Sequence, residues 1–156
     1  MDAAVAKMSR LVEIALEEDD AFEEDDGNHR EIQLPRVDAA ILAKIIEFCT
    51  HYQQEEMSPI DKPIRSPNIE DLVQPFYADF INVDKAIVFE LISAANFMDI
   101  PPLLELGCLA VACMITGKST EEMRTILNIT NDFTPDEEAA IREENRWIDD
   151  YEDPIP

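Results

Sequence analysis

Between Pro101-Pro102 and Gly117 lies a segment in which almost every residue is apolar or small, Leu103, Leu104, Leu106, Cys108, Val111, Met114 and Ile115 among them. Proline fits the first turn of a helix, where its missing N–H has no partner to lose, and glycine suits the stop. A helix that is apolar nearly all round must be buried, so the remainder of the chain has to surround it with apolar faces.

Those faces are present. Met8, Leu11, Val12, Ala15 and Leu16 recur at three- and four-residue intervals and predict a helix over Val5–Leu16. Asp38 is placed to cap a helix running to about Tyr52, with Ile41, Leu42, Ile45, Ile46, Phe48 and Cys49 on its apolar side. Asp84 caps another carrying Ile87, Val88, Leu91, Ile92 and Ala95. Ser119 with Glu122 and Thr134 with Glu137 form two capping boxes, the second with Pro135 at the first helical position. The first box opens a short helix with Met123, Ile126 and Leu127 on one face, and the second opens a helix over Pro135–Ile148.

Between the helices, eight of the ten residues Glu17–Asp26 are acidic, which predicts a solvated loop over 17–28. Glu31–Pro35 alternates polar and apolar residues and ends at a proline, as a short edge strand does. Pro59, Pro63 and Pro67 rule out a regular helix through 53–74, after which Phe76, Tyr77 and Phe80 restore apolar anchoring.

The chain has 156 residues, 46% of them hydrophobic, enough for one domain or a small domain with an appended helical piece. Its 35 acidic against 12 basic residues, a net charge of -23, exclude phosphate neutralisation and disfavour anionic membranes, and favour basic protein partners. Cys49, Cys108 and Cys113 all fall in apolar helical patterns and read as small buried hydrophobes of a reducing compartment. No apolar run of membrane-spanning length and no signal peptide is evident, which makes cytoplasm and nucleus the expected location, and the Asn128-Ile129-Thr130 triplet is expected to stay unglycosylated.

Catalytic chemistry finds no support. His29 and His51 lack ligand-spaced neighbours, three glycines leave no phosphate-cradling loop, and no metal or cofactor is expected. The informative segment is the last helix, where Ile141, Trp147 and Ile148 are almost the only large apolar groups amid acids, Arg142 and Arg146. So polar a helix has to lean on something, and tryptophan is enriched at interface hot spots. A competing reading has Trp147 merely pinning the helix to its own domain.

Leu34-Pro35-Arg36-Val37-Asp38-Ala39-Ala40-Ile41-Leu42 with Phe48-Cys49-Thr50-His51, Phe89-Glu90-Leu91-Ile92 with Ala94-Ala95-Asn96-Phe97-Met98-Asp99-Ile100, Ile115-Thr116-Gly117-Lys118 with Glu121-Glu122, and Asn131-Asp132-Phe133-Thr134-Pro135 through Glu144-Asn145-Arg146-Trp147 together resemble the S-phase kinase-associated adaptor family of SCF ubiquitin ligases. The resemblance spans most of Ile32–Trp147. It implies an α+β, predominantly helical fold: a BTB/POZ-like domain over 1–100, then F-box-binding helices and a tail over 101–156. It also implies a non-enzymatic adaptor joining F-box proteins to a cullin in ubiquitin-dependent degradation, with weak homodimerisation when unpartnered.

Carried over by motif, Asn96 and Phe97 are the cullin-facing pair, with tyrosine commonly in the second position elsewhere. Leu106, Leu109, Cys113, Met114, Met123, Ile126, Leu127, Ile129, Ile141 and Trp147 are the expected F-box contacts. Pro135 matches a position hydroxylated and then glycosylated in some unicellular members, although a helix-start proline needs no modification to account for it. Family members begin with two strands before the first helix, whereas this sequence starts almost at the helix, so an incomplete sheet is expected and cullin binding is the less secure half. The tail Tyr151–Pro156 also departs from the usual ending. The alternatives are a copy that binds F-box proteins without a cullin, an acidic chaperone for basic proteins, which would explain the charge alone, and an elongin-type adaptor, a class lacking the C-terminal helices.

Overall fold

A computed structural model describes residues 3–19 and 32–149. Among them every regular element is a helix: α1 Ala3–Ala6, α2 Arg10–Asp19, α3 Ala39–Tyr52, α4 Pro75–Ile81, α5 Lys85–Met98, α6 Pro101–Ile115, α7 Thr120–Leu127, α8 Pro135–Glu144 and α9 Arg146–Asp149, with a 3-10 turn at Ile69–Asp71. The chain divides into two units, Met1–Gly117 and Lys118–Pro156. Within the first unit α6 packs on α5 and α4.

The expected buried helix organises that first unit. Leu103, Leu106, Leu109 and Ala110 of α6 join Val88, Leu91, Ala94 and Ala95 of α5 and Phe48 of α3 in one core. Gly107 makes the α5–α6 approach: a Cβ there would lie 2.5 Å from Cγ1 of Ile92. Burial is not complete around α6. Cys108 is exposed and Val111–Ile115 are only partly buried, so the helix is covered over its first turns and open on one side beyond. Of the three cysteines only Cys49 is fully buried, where desolvation pushes its thiol up to about 11.

Aromatic packing closes the other side. The Phe48 ring meets those of Tyr52, Tyr77 and Phe80 at centroid distances of 5.6–5.8 Å, and the Tyr77 hydroxyl donates to the Glu55 carbonyl, fixing the start of the proline-rich segment. Gln74 ties the segment a second time: its side-chain N–H donates to the Glu56 carbonyl at 2.9 Å and its oxygen accepts from Ser58 N–H at 3.1 Å.

Four expectations are corrected by the backbone. The single helix over Val5–Leu16 is two, interrupted at Ser9, whose buried Oγ donates to the Met98 carbonyl at 2.5 Å and accepts the Val12 N–H at 3.3 Å. The hydroxyl caps the start of α2, while α1 closes on backbone turns, Met8 N–H to the Val5 carbonyl at 3.3 Å and Ser9 N–H to the Ala6 carbonyl at 3.1 Å. The edge strand does not form over Ile32–Pro35; the chain turns there, with Val37 N–H reaching the Leu34 carbonyl at 3.1 Å, and Glu31 lies outside the described residues. A strand needs a neighbour to complete its ladder, and none is found among the described residues. Asp38 stands at the N-cap of α3 without a side-chain capping bond, whereas Asp84 accepts from Ala86 N–H at 2.8 Å. The predicted acidic loop begins later than expected, since α2 continues to Asp19; its remaining residues lie outside those described.

α5 ends in a reversal that the sequence did not advertise. Asp99 adopts φ 52°, and the Ile100 N–H bonds back to the Ala95 carbonyl at 2.9 Å, a Schellman closure made without glycine. The reversal carries Ile100 into the core at 1% exposure and leaves the Asp99 carbonyl to accept the Arg10 N–H.

Candidate partner-binding surfaces

The second unit is built by its caps. In both boxes the hydroxyl accepts the N3 amide while the N3 carboxylate accepts the N-cap amide, Ser119 N–H to Glu122 and Thr134 N–H to Glu137 each at 2.8 Å. Those bonds to the charged form hold both glutamates below the ordinary carboxylate value of 4.5. Asn128 ends α7 at φ 55°, with Ile129 N–H returning to the Arg124 carbonyl at 2.8 Å, another Schellman closure.

Polar contacts join α7 to α8. Arg124 donates to Glu138 at 3.1 Å, the same carboxylate oxygen accepts from the Asn131 side chain at 3.0 Å, and the hydrogen bond from Arg124 is the main reason the Glu138 carboxyl titrates low. The helix predicted over Pro135–Ile148 breaks at Asn145, whose side-chain N–H donates to the Ile141 carbonyl at 2.8 Å, leaving α9 as a separate turn.

Among its described residues this unit has no interior. None of the described residues 118–147 is buried. Ile129 is 55% exposed, Phe133 47%, Ile141 41% and Trp147 64%, while Met123, Ile126 and Leu127 on α7 are half-buried. Trp147 therefore does not pin the last helix into its own domain. Phe133 was not among the expected contacts, although an aromatic just ahead of a capping box, where no element needs it, was the available signal. Pro135 is exposed at the first position of α8.

The expected F-box residues of α6 separate into two kinds. Leu106 and Leu109, at 0% and 3% exposure, belong to the first unit's core and offer no surface, because they lie on the side of α6 that packs inward. Cys113 and Met114 instead line an open groove of about 550 Å³ together with Ala110, Ile81, Val83 and Ile69, with Glu70 and Asp71 on its rim.

Asn96 is exposed near the end of α5, and Phe97 beside it is half-buried against the core. The Arg36 guanidinium carbon lies 5.7 Å from the Phe97 ring centroid. A hollow of about 290 Å³ runs along this face between Arg36–Asp38 and α5, lined also by Ile41, Phe89, Glu90, Ser93 and Ala94. Among the described residues no group of side chains could hold a metal ion, and no helix is long and apolar enough to cross a membrane.

Residues 1–54 match the description "Skp1 family, tetramerisation domain" and residues 101–148 "Skp1 family, dimerisation domain". The S-phase kinase-associated protein 1 homolog of Tetrahymena thermophila is 41% identical over 151 residues, covering 96% of this chain and 87% of its own. Two proteins of Dictyostelium discoideum, named SCF ubiquitin ligase complex protein SKP1a and SKP1b, are each 46% identical over 119 residues, 76% of this chain and 73% of theirs. With half-buried and exposed apolar side chains on a unit without an interior, and similarity along nearly its whole length, the chain belongs to the Skp1 family.

Proposed function

We propose that the chain is an adaptor subunit of an SCF-type ubiquitin ligase, joining an F-box substrate receptor to a cullin and contributing binding rather than catalysis. The observation that carries this reading is the second unit: two fully formed capping boxes specify helices whose large apolar side chains remain in water. Burying Ile129, Phe133, Ile141 and Trp147 against an apolar receptor segment would supply the interior this unit does not have. Relatives carrying the SCF complex in their names support the reading. The cullin surface is assigned to Asn96 and Phe97 in the first unit, and three free thiols accord with a cytoplasmic and nuclear workplace.

The test is a titration of the full chain with an F-box segment and, separately, with a cullin N-terminal domain. Both are expected to bind. Trp147→Ala is expected to weaken F-box binding at least about tenfold, as truncation of an interface anchor does, with cullin binding unaffected. F-box binding without cullin binding would identify a receptor-binding copy detached from the ligase. Failure to bind the F-box segment overturns the adaptor reading.

A further inference from the structure

Arg36 is one of only 12 basic residues in a chain with 35 acidic ones, so a nearby carboxylate is the expected partner for it. Arg10, Lys62, Arg124, Arg142 and Arg146 each reach a carboxylate among the described residues, and Arg36 does not. Its guanidinium lies over the Phe97 ring instead. Asp38 and Glu90 border the same hollow without forming an ion pair with it.

A guanidinium held 5.7 Å over an aromatic ring by its charge still has N–H donors in a fixed fork to offer other partners. The side chain is exposed, and the turn at Pro35–Val37 holds its backbone beside α5. Glu90, Ser93 and Phe97 recur at three and four residues along α5, so the hollow and the Phe97 ring lie along one face of that helix.

We propose that Arg36 is a positioning residue of the cullin-facing surface: its guanidinium braces the Phe97 ring from one side and donates a forked hydrogen bond to a carboxylate of the cullin. This rests on the assignment of Asn96 and Phe97 to cullin contact made above. The occupant is a cullin segment that sets an acidic side chain against Arg36 and an apolar one in the adjoining hollow. In so negative a chain the long-range field attracts basic surfaces, so one locally positive point requires a carboxylate at a single place and fixes the register of docking.

Cullin N-terminal domain binding to the full-length chain, measured at two salt concentrations for wild type, Arg36→Gln, Arg36→Lys and Phe97→Ala, tests this. Arg36→Gln is expected to weaken cullin binding about tenfold and to change its salt dependence, the range for a charge truncated at an interface. Arg36→Lys keeps the charge but not the planar fork and should fall between the two. Thermal unfolding and F-box affinity of the two Arg36 variants should match wild type, so that lost folding is recognised. If Phe97→Ala impairs cullin binding while Arg36→Gln leaves affinity and salt dependence unchanged, the proposal fails and the cullin surface stands. If wild type does not bind the cullin, the assignment beneath the proposal fails, and the proposal with it.

Discussion

Ser9 shows how much one hydroxyl can decide. It is the one buried polar residue among those described, and its Oγ both donates to Met98 and accepts from Val12, so it opens α2 and ties that start to the end of α5. Replacing it with alanine removes a cap and leaves a buried carbonyl without its hydroxyl donor, a loss of about 1–3 kcal/mol. Chemical denaturation of Ser9→Ala should therefore show a lower midpoint with an unchanged slope. A midpoint equal to wild type would mean that the contact adds nothing beyond solvent. Ser9 was read as just another position of a helical repeat, because its partner, Met98, is 89 residues away. Asp99 is similar: an aspartate at positive φ is decided by where Ile100 must be buried, which local sequence does not reveal.

At the scale of elements, helices with side-chain caps were the most legible. Thr134 and Glu137 specify their box within four residues, and it forms as expected. Its pH dependence follows with a definite sign. The Glu137 carboxyl is held low mainly by the Thr134 backbone N–H, so its stabilisation of α8 is fully present above the ordinary value of 4.5 and is lost as pH falls through the lowered folded value. Acidification below 4.5 should release the Thr134 amide, seen as a chemical-shift change in that resonance, and Glu137→Gln should abolish the transition. A transition that persists in Glu137→Gln would assign it to another carboxylate, such as Glu138 beside Arg124. The expected strand failed over Ile32–Pro35 for the opposite reason: its stability lies in a partner segment, and alternation of residue type cannot supply one.

For the whole molecule, the difference between the two units governs behaviour. The first holds every buried residue among those described, and the second holds none, so local opening of the second should cost far less free energy. A trypsin-like protease is expected to cut at Arg124, Arg142 or Arg146 before any site within α3 to α6, and a bound F-box segment should slow those cuts selectively. Early cleavage inside α5 or α6 would contradict the assignment of stability to the first unit. The sequence by itself determined the helical elements, the capping boxes, the apolar α6 and the family, because periodicity, caps and motifs are local and covalently ordered. Only the tertiary structure decided that Leu106 and Leu109 face inward while Cys113 and Met114 line a groove, that Cys108 is exposed, and that Arg36 stands over Phe97. Those outcomes depend on which side of each helix meets a neighbour distant in the chain, and an element apolar on every side carries no sign of which side that will be.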